Sequence, residues 1–334
     1  MKPTFAFQSK LGPSMTRFLQ LHLALGKRYK NAMTTVKSLD HFLSQLPRAS
    51  QELTAETFNA WCRSQSELTS RVRRNRMYVI RKFCWYRRRT VPGCFVPEAI
   101  FFPPLSQTVM PYIFSEAEVA QLMKAASGLQ RRPYSPLRPE VVRLSIVLLY
   151  TTGLRIGELL RLVVSDFDVR EGTLLIRDSK FHKSRILPLP ADVIRELEHY
   201  LRTRRRHNLP VLPSTPFIGH CRYREKAYTA WGFQCCLWPV LDACNIRTQS
   251  GRRPRIHDFR HSSAINTIIR WYRCGADVWA KLPFLSAYLG HVSISSTYRY
   301  LHFVEPLRAL ASKRFGDSFG GLIVPLAGKK GDRD

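Results

Sequence analysis

The sequence predicts a mainly α protein with a small β-sheet, divided into a helical N-terminal domain and an α+β C-terminal domain. Three observations carry this. Apolar residues recur at helix spacing along 14–30, 34–46, 55–66 and 69–89. Pro92, Gly93, Pro97, Pro103, Pro104 and Pro111 then interrupt the pattern, and prolines this close prevent a continuing helix. Beyond them, two short runs, GTLLIR and SRILPLP, flank the basic turn DSKFHK and read as a hairpin. The chain has 334 residues, and at about 150 residues per domain that length suggests two. The expected division is a helical domain over 1–90, a linker over 91–111, a second domain over 112–319 and a loose tail over 320–334.

The second domain opens with Ser115 and Glu118, spaced as a capping box before the helical run VAQLMKAA. The apolar stretch LSIVLLYTTGL leads into RIGELLRL, and helix-like stretches follow the hairpin at 191–206, 228–244, 258–273 and 306–314. No internal repeat is visible. The longest clean apolar run, 144–154, is closed by Arg143 and Arg155, and a spanning helix needs about 20 such residues. The start, MKPTFAFQSK, lacks the apolar core of a secretory signal. The eight cysteines form no CxxC pair, which argues against a zinc ribbon and for reduced thiols inside the cell.

Charge narrows the function. The chain holds 53 Lys and Arg against 24 Asp and Glu, a net charge of +29. Of the basic residues 39 are Arg, whose planar fork pairs bidentately with phosphate, so the balance points to nucleic acid. The segment 71–89, RVRRNRMYVIRKFCWYRRR, has nine basic residues and no acid. On a helix, Val72, Met77, Val79, Ile80, Phe83 and Cys84 fall on one side. Arg71, Arg74, Arg81, Lys82, Arg88 and Arg89 fall on the other, with Tyr78 and Trp85 among them. A solvated face usually mixes both signs, so this one is expected to track DNA phosphates.

Four patterns in the second domain carry chemistry. In TGLRIGELLRL, Arg155 stands at the start of an apolar helix with Glu158 three residues on, a spacing that pairs them. Lys180 and Lys183 lie in the basic turn. In HDFRHSSA, His257 and Arg260 share one helix face. In LGHVSISSTYRYLH, His291 follows a glycine and Tyr300 lies nine residues later. Each alone is weak. In order, the blocks TGLRIGELL, HDFRH and LGHVSISSTYRY resemble the tyrosine recombinase (phage integrase) family, and the match covers most of 112–303.

The resemblance implies a catalytic domain of that family behind a helical core-binding domain, the two clamping duplex DNA. It implies that Arg155 and Arg260 clamp the scissile phosphate, with Glu158 buttressing the first. Lys180, with Lys183 as the alternative, would protonate the leaving 5′-oxygen. His257 would assist proton transfer at the nucleophile and His291 would hydrogen-bond the phosphate. Tyr300, with Tyr298 as the reserve, would attack and form a 3′-phosphotyrosyl link. The chemistry agrees. A phenol has a pKa near 10 and needs cations and a base close by to attack at neutral pH. Preset guanidiniums stabilise the charge that develops on phosphorus oxygens. Five cationic or donor groups around one phosphate remove the need for a metal, and the covalent link conserves bond energy, so no metal and no nucleotide cofactor is expected.

The partners implied are double-stranded DNA with inverted half-sites and further copies of the chain, a dimer on each site and a tetramer in synapsis. An accessory protein or partner recombinase could join them, and a segment over 306–315 could dock on a neighbour. The expected role is integration, excision or transposition of a mobile element in the bacterial cytoplasm, at the nucleoid. A type IB topoisomerase-like nicking-closing enzyme and a catalytically silent DNA-binding protein are the alternatives.

Overall fold

The computed structural model describes residues 6–26, 29–104, 110–177, 184–220 and 226–302. The chain forms two compact units, Met1–Val109 and Met110–Asp334.

The first unit is helical, with α1 over Gly12–Ala24, α2 over Lys30–Ser44, α3 over Ala55–Arg63 and α4 over Ser70–Arg87. Their apolar stripes meet in one core of Met15, Phe18, Val36, Leu39, Trp61, Ile80 and Phe83. Pro13 opens α1, where its missing N–H costs nothing. Thr54 caps α3 by accepting from the Thr57 amide at 3.2 Å. The Asp40 carboxylate on α2 accepts from the amides of Gln8 and Ser9 at 2.9 and 3.0 Å, which ties down the segment before α1. α1 ends six residues short of the expected stretch, at a turn where Gly26 takes φ +71°.

The second unit holds α5 over Glu116–Ser127, α6 over Arg138–Thr152 and the single turn α7 over Ile156–Leu159. The expected box at Ser115 and Glu118 is present. The expected hairpin forms as β2, Thr173–Ile176, and β3, Arg185–Pro188, paired antiparallel. A two-residue strand β1, Phe167–Asp168, adds an edge to β2, and it is too short for alternation to reveal. The turn residues 178–183 between β2 and β3 lie outside the described residues. The remaining helices are α8 over Ala191–Arg206, α9 over Ala230–Ala243, α10 over Ile256–Arg273, α11 over Val278–Leu289 and α12 over Ser295–His302. α6 buries ten of its fifteen residues and forms the centre of the unit. Phe259 of α10 stacks on Phe114 with ring centroids 4.3 Å apart, fixing α10 against the strand-like entry to α5.

α11 is absent from the helices read in the sequence. Pro283 sits inside the helix. Asp277 compensates by capping the Ala280 amide at 3.1 Å. Val278, Leu282, Leu285 and Leu289 then bury one stripe against Ala264, Ile265 and Ile268 of α10. The expected helix over 306–314 and the tail from 320 lie outside the described residues.

Candidate active site

The site is assembled from two glycine turns and the ends of four elements of the second unit. α6 ends at Gly153, whose φ of +62° is left-handed. A Cβ there would lie 2.5 Å from Leu289 Cδ2, so only glycine fits this approach. Two residues on, Arg155 begins α7. Glu158 folds back on it, accepting the Arg155 amide at 3.1 Å and its Nη1 at 2.7 Å. Arg185 of β3 grips the same carboxylate, with Nη2 2.9 Å from Oε2. Glu158 is 3% exposed. Burial alone would raise its pKa, but the hydrogen bonds and charge of Arg185, with those of Arg155, overcome this and hold it at about 2.

The second turn ends α11. Gly290 has φ +67°. The amides of Gly290 and His291 cap the carbonyls of Ala287 and Ser286, each at 2.9 Å. The next three carbonyls go to guanidiniums. Arg185 Nε donates to Tyr288 O at 2.9 Å, Arg260 Nη2 to Leu289 O at 2.6 Å, and Arg155 Nη2 to Gly290 O at 3.0 Å. Arg260 Nη1 also donates to Gly153 O at 2.6 Å, so Arg260, 1% exposed, joins the two turns. Burial first, then the nearby Arg155 cation, lowers its pKa to about 10, so it stays charged at neutral pH.

Three histidines and a tyrosine complete the cluster. His291 Nδ1 lies 2.7 Å from the buried Thr297 hydroxyl. Its pKa falls to about 3, through burial and then the charges of Arg260 and Arg155. His257, at the solvent edge, is lowered by desolvation and then by Arg260 and Arg155. His261 stands edge-on to both His257 and Tyr300, with centroids 4.7 and 5.5 Å apart. Its Nδ1 is buried without a partner, and burial followed by the charge of His257 brings its pKa to about 4. The Tyr300 ring packs with the α10–α11 cluster and is 4% exposed. Burial raises its pKa, and the charges of Arg260 and Arg155 oppose that rise.

The site therefore gathers three guanidiniums, two of them paired with one buried carboxylate, and three imidazoles, an arrangement built to receive an anion. A family model, the phage integrase family, matches residues 113–305, which holds every one of these groups. The chain belongs to the phage integrase family.

Within this family the chain is similar to the putative integrase/recombinase y4rB of Sinorhizobium fredii (strain NBRC 101917 / NGR234), 30% identical over 75% of this chain and 79% of that one. Among solved structures it resembles the XerH site-specific recombinase bound to a palindromic difH substrate. That match has TM-score 0.63 and 17% identity, over 90% of this chain and 81% of the other. It also resembles a lambda integrase tetramer bound to a Holliday junction, with TM-score 0.58 and 18% identity, over 85% and 77%. In fold and family the chain is a tyrosine recombinase.

Of the residues singled out in the sequence, the structure brings together Arg155, Glu158, His257, Arg260, His291 and Tyr300. Tyr298 points away, exposed and 5.8 Å from the Trp279 ring. Lys180 and Lys183 lie outside the described residues. Arg185, His261 and Thr297 were missed. Arg185 looked like an ordinary cation on a hairpin strand, and only its pairing with Glu158 distinguishes it. His261 lies within HDFRH and its position one residue after Arg260 was the available signal.

On α4 the structure divides the basic residues expected to face DNA. Arg71, Lys82, Arg88 and Arg89 are exposed, while Arg74 and Arg81 are half-buried. Arg74 Nη1 donates to the carbonyls of Phe102 and Pro103 at 3.2 and 2.6 Å, Arg81 to Pro97 O, and Arg88 Nε to Pro92 O at 3.2 Å. These three fasten the proline-rich segment along the helix. Trp85 lies under the Arg81 and Arg88 guanidiniums, 5.8 and 5.3 Å from its ring centroid. Val72, expected on the apolar side, is 40% exposed, because the first turn of α4 extends beyond the core.

Proposed function

We propose that this chain cleaves and rejoins DNA at specific sites through a 3′-phosphotyrosyl intermediate, in the integration, excision or transposition of a mobile element. The Tyr300 oxygen attacks the scissile phosphorus, the Tyr–O–P bond forms and the P–O5′ bond breaks. The phenol proton passes to an imidazole, with His257 in that role, and Lys180 supplies the proton for the leaving 5′-oxygen. Arg155 and Arg260 bind the non-bridging oxygens, and His291 donates a further hydrogen bond. The reverse step, with another strand's 5′-hydroxyl, joins the exchanged ends without an outside energy source. The observation that carries the reading is the Tyr300 phenol, buried beside the His261 and His291 rings at 5.5 and 6.0 Å and close enough to Arg260 and Arg155 for their charges to oppose the rise that burial gives its pKa. A phenol held there meets the charge that activates it and the charge its product needs.

The substrate in this reading is double-stranded DNA with inverted half-sites, a dimer of the chain on each site and a tetramer in synapsis. The palindromic substrate of XerH and the lambda integrase tetramer support it by analogy. The exposed Arg71 and Lys82 of α4, with Arg89 just beyond it, add phosphate contacts from the helical domain, residues 1–90. The place of work in this reading is the cytoplasm, at the nucleoid. No helix among the described residues is long and apolar enough to cross a membrane.

The test looks for the covalent intermediate. Duplexes are selected by binding from a randomised inverted-repeat pool, nicked near the centre, and incubated with the protein. A denaturing gel with peptide mapping should show an adduct on Tyr300. Tight binding without any adduct would instead mark a catalytically silent DNA-binding protein.

A further inference from the structure

The end of α11 carries a run of hydrogen bonds that the motif residues do not account for. Three consecutive carbonyls, those of Tyr288, Leu289 and Gly290, each accept from a different guanidinium. Arg260 and Arg155 belong to the motifs, and Arg185 does not. The end of a helix is its negative pole and leaves carbonyls without intrahelical partners, so each guanidinium there gains a charge-assisted bond and a fixed direction.

Arg185 differs from the other two in what its nitrogens do. Nε donates to Tyr288 O at 2.9 Å, Nη2 to Glu158 Oε2 at 2.9 Å and Nη1 to Glu158 Oε1 at 3.3 Å. Every nitrogen of the fork is engaged with protein, and its side chain is 12% exposed. We infer that Arg185 is a positioning residue for strand transfer: it braces Glu158, and through it Arg155, while fixing the turn that presents His291. This rests on the reaction proposed for Tyr300.

Two features support the brace. Glu158 meets both arginines at once, so its carboxylate plane, and with it the Arg155 fork, is set from the opposite side by Arg185. Gly290 lies flat against the same guanidinium: a Cβ there would come within 2.7 Å of Arg185 Nη1 and 2.9 Å of its Cζ. The glycine before His291 therefore serves two ends, the left-handed φ and the close approach of Arg185. A lysine would keep the charge and lose the fork that spans Glu158 and Tyr288 O.

Arg185→Lys tests this on the selected nicked duplexes, with rates referred to folded protein. Binding should stay within about threefold, because the Arg185 fork is engaged with protein groups and leaves the phosphate-binding side chains in place. Adduct formation should fall about 100-fold, the size expected when a reacting group is displaced by about an ångström. Combined with Glu158→Gln, the loss should be clearly smaller than the product of the two single losses, because the two share the Glu158 brace. An unaltered adduct rate, or a double variant that multiplies the two losses, overturns the inference. If the unmodified protein forms no adduct, the recombination reading fails by itself. The brace is then judged in DNA-free protein by hydrogen exchange of the Gly290 and His291 amides. Exchange several-fold faster in Arg185→Lys supports it, and unchanged exchange overturns it.

Discussion

Replacing Tyr300 by Phe removes one oxygen and leaves the ring in its apolar slot beside Ile265, Leu282 and Leu289. DNA binding and melting temperature should hold while the adduct disappears; Tyr298→Phe should cleave normally, and the reverse pattern would move the nucleophile. Thr297 shares a hydrogen bond with His291 Nδ1. A neutral imidazole offers a proton to phosphate from Nε2 only if Nδ1 accepts, so the proposed reaction requires the Thr297 hydroxyl to be the donor. Thr297→Val should slow adduct formation about tenfold, one hydrogen bond of roughly 1.4 kcal/mol, with Thr297→Ser near normal. The pH response has a definite sign. His291 and His261 are depressed to about 3 and about 4 from 6.5, and Glu158 to about 2 from 4.5. All three bind fewer protons folded than unfolded, so the stability they lend is complete above their unfolded values. The histidine share drains as pH falls below about 6.5, and the carboxylate share below about 4.5. DNA-free protein should melt at a lower temperature at about pH 5 than near neutrality, and a flat profile would refute the burial of these histidines. Arg155, His257, Arg260, His291 and Tyr300 were legible because each sits in a distinctive local string. Arg185 and Thr297 were not, because their importance lies in partners 27 and 6 residues away.

Among the elements, the two glycine turns hold the site together. Gly153→Ala meets both a left-handed φ and the Leu289 side chain, and should destabilise the second unit by about 1–3 kcal/mol in denaturant unfolding. Gly290→Ala meets the same φ penalty and the Arg185 guanidinium, so it should lose adduct formation more than stability. Equal losses in the two variants would mean that both turns act on folding alone. The helices of the first unit and the β2–β3 hairpin were readable because periodicity and turn residues agree there. α11 was hidden by Pro283, and its stripe of Val278, Leu282, Leu285 and Leu289 shows that burial against α10 outweighs the missing amide. The two-residue β1 has no period to detect.

At the scale of the whole molecule, the positive charge along α4 divides into an exposed part and a self-directed part. Arg74, Arg81 and Arg88 bond to carbonyls of the segment after α4. Replacing all three by Gln should lower the melting temperature of the first unit. Replacing the exposed Arg71, Lys82 and Arg89 should leave melting unchanged and reduce the slope of log affinity against log salt by about 0.9 for each phosphate no longer neutralised. A slope untouched by that second triple variant would mean α4 faces solvent in the complex. Composition revealed the total charge, and helical periodicity revealed its face. Neither could reveal that the chain's own proline-rich segment competes for the same guanidiniums, because such pairing depends on where residues 92–103 return in space. The burial of Tyr300 has a mechanical consequence. In the proposed reaction Tyr300, wedged between α10 and α11, has almost no rotamer freedom to lose on reaching the phosphorus. Once bonded to DNA it is also an anchor bolt: tension on the broken strand would be borne by the packed helices, not by one swivelling side chain, and the strand end would stay in register while its partner departs.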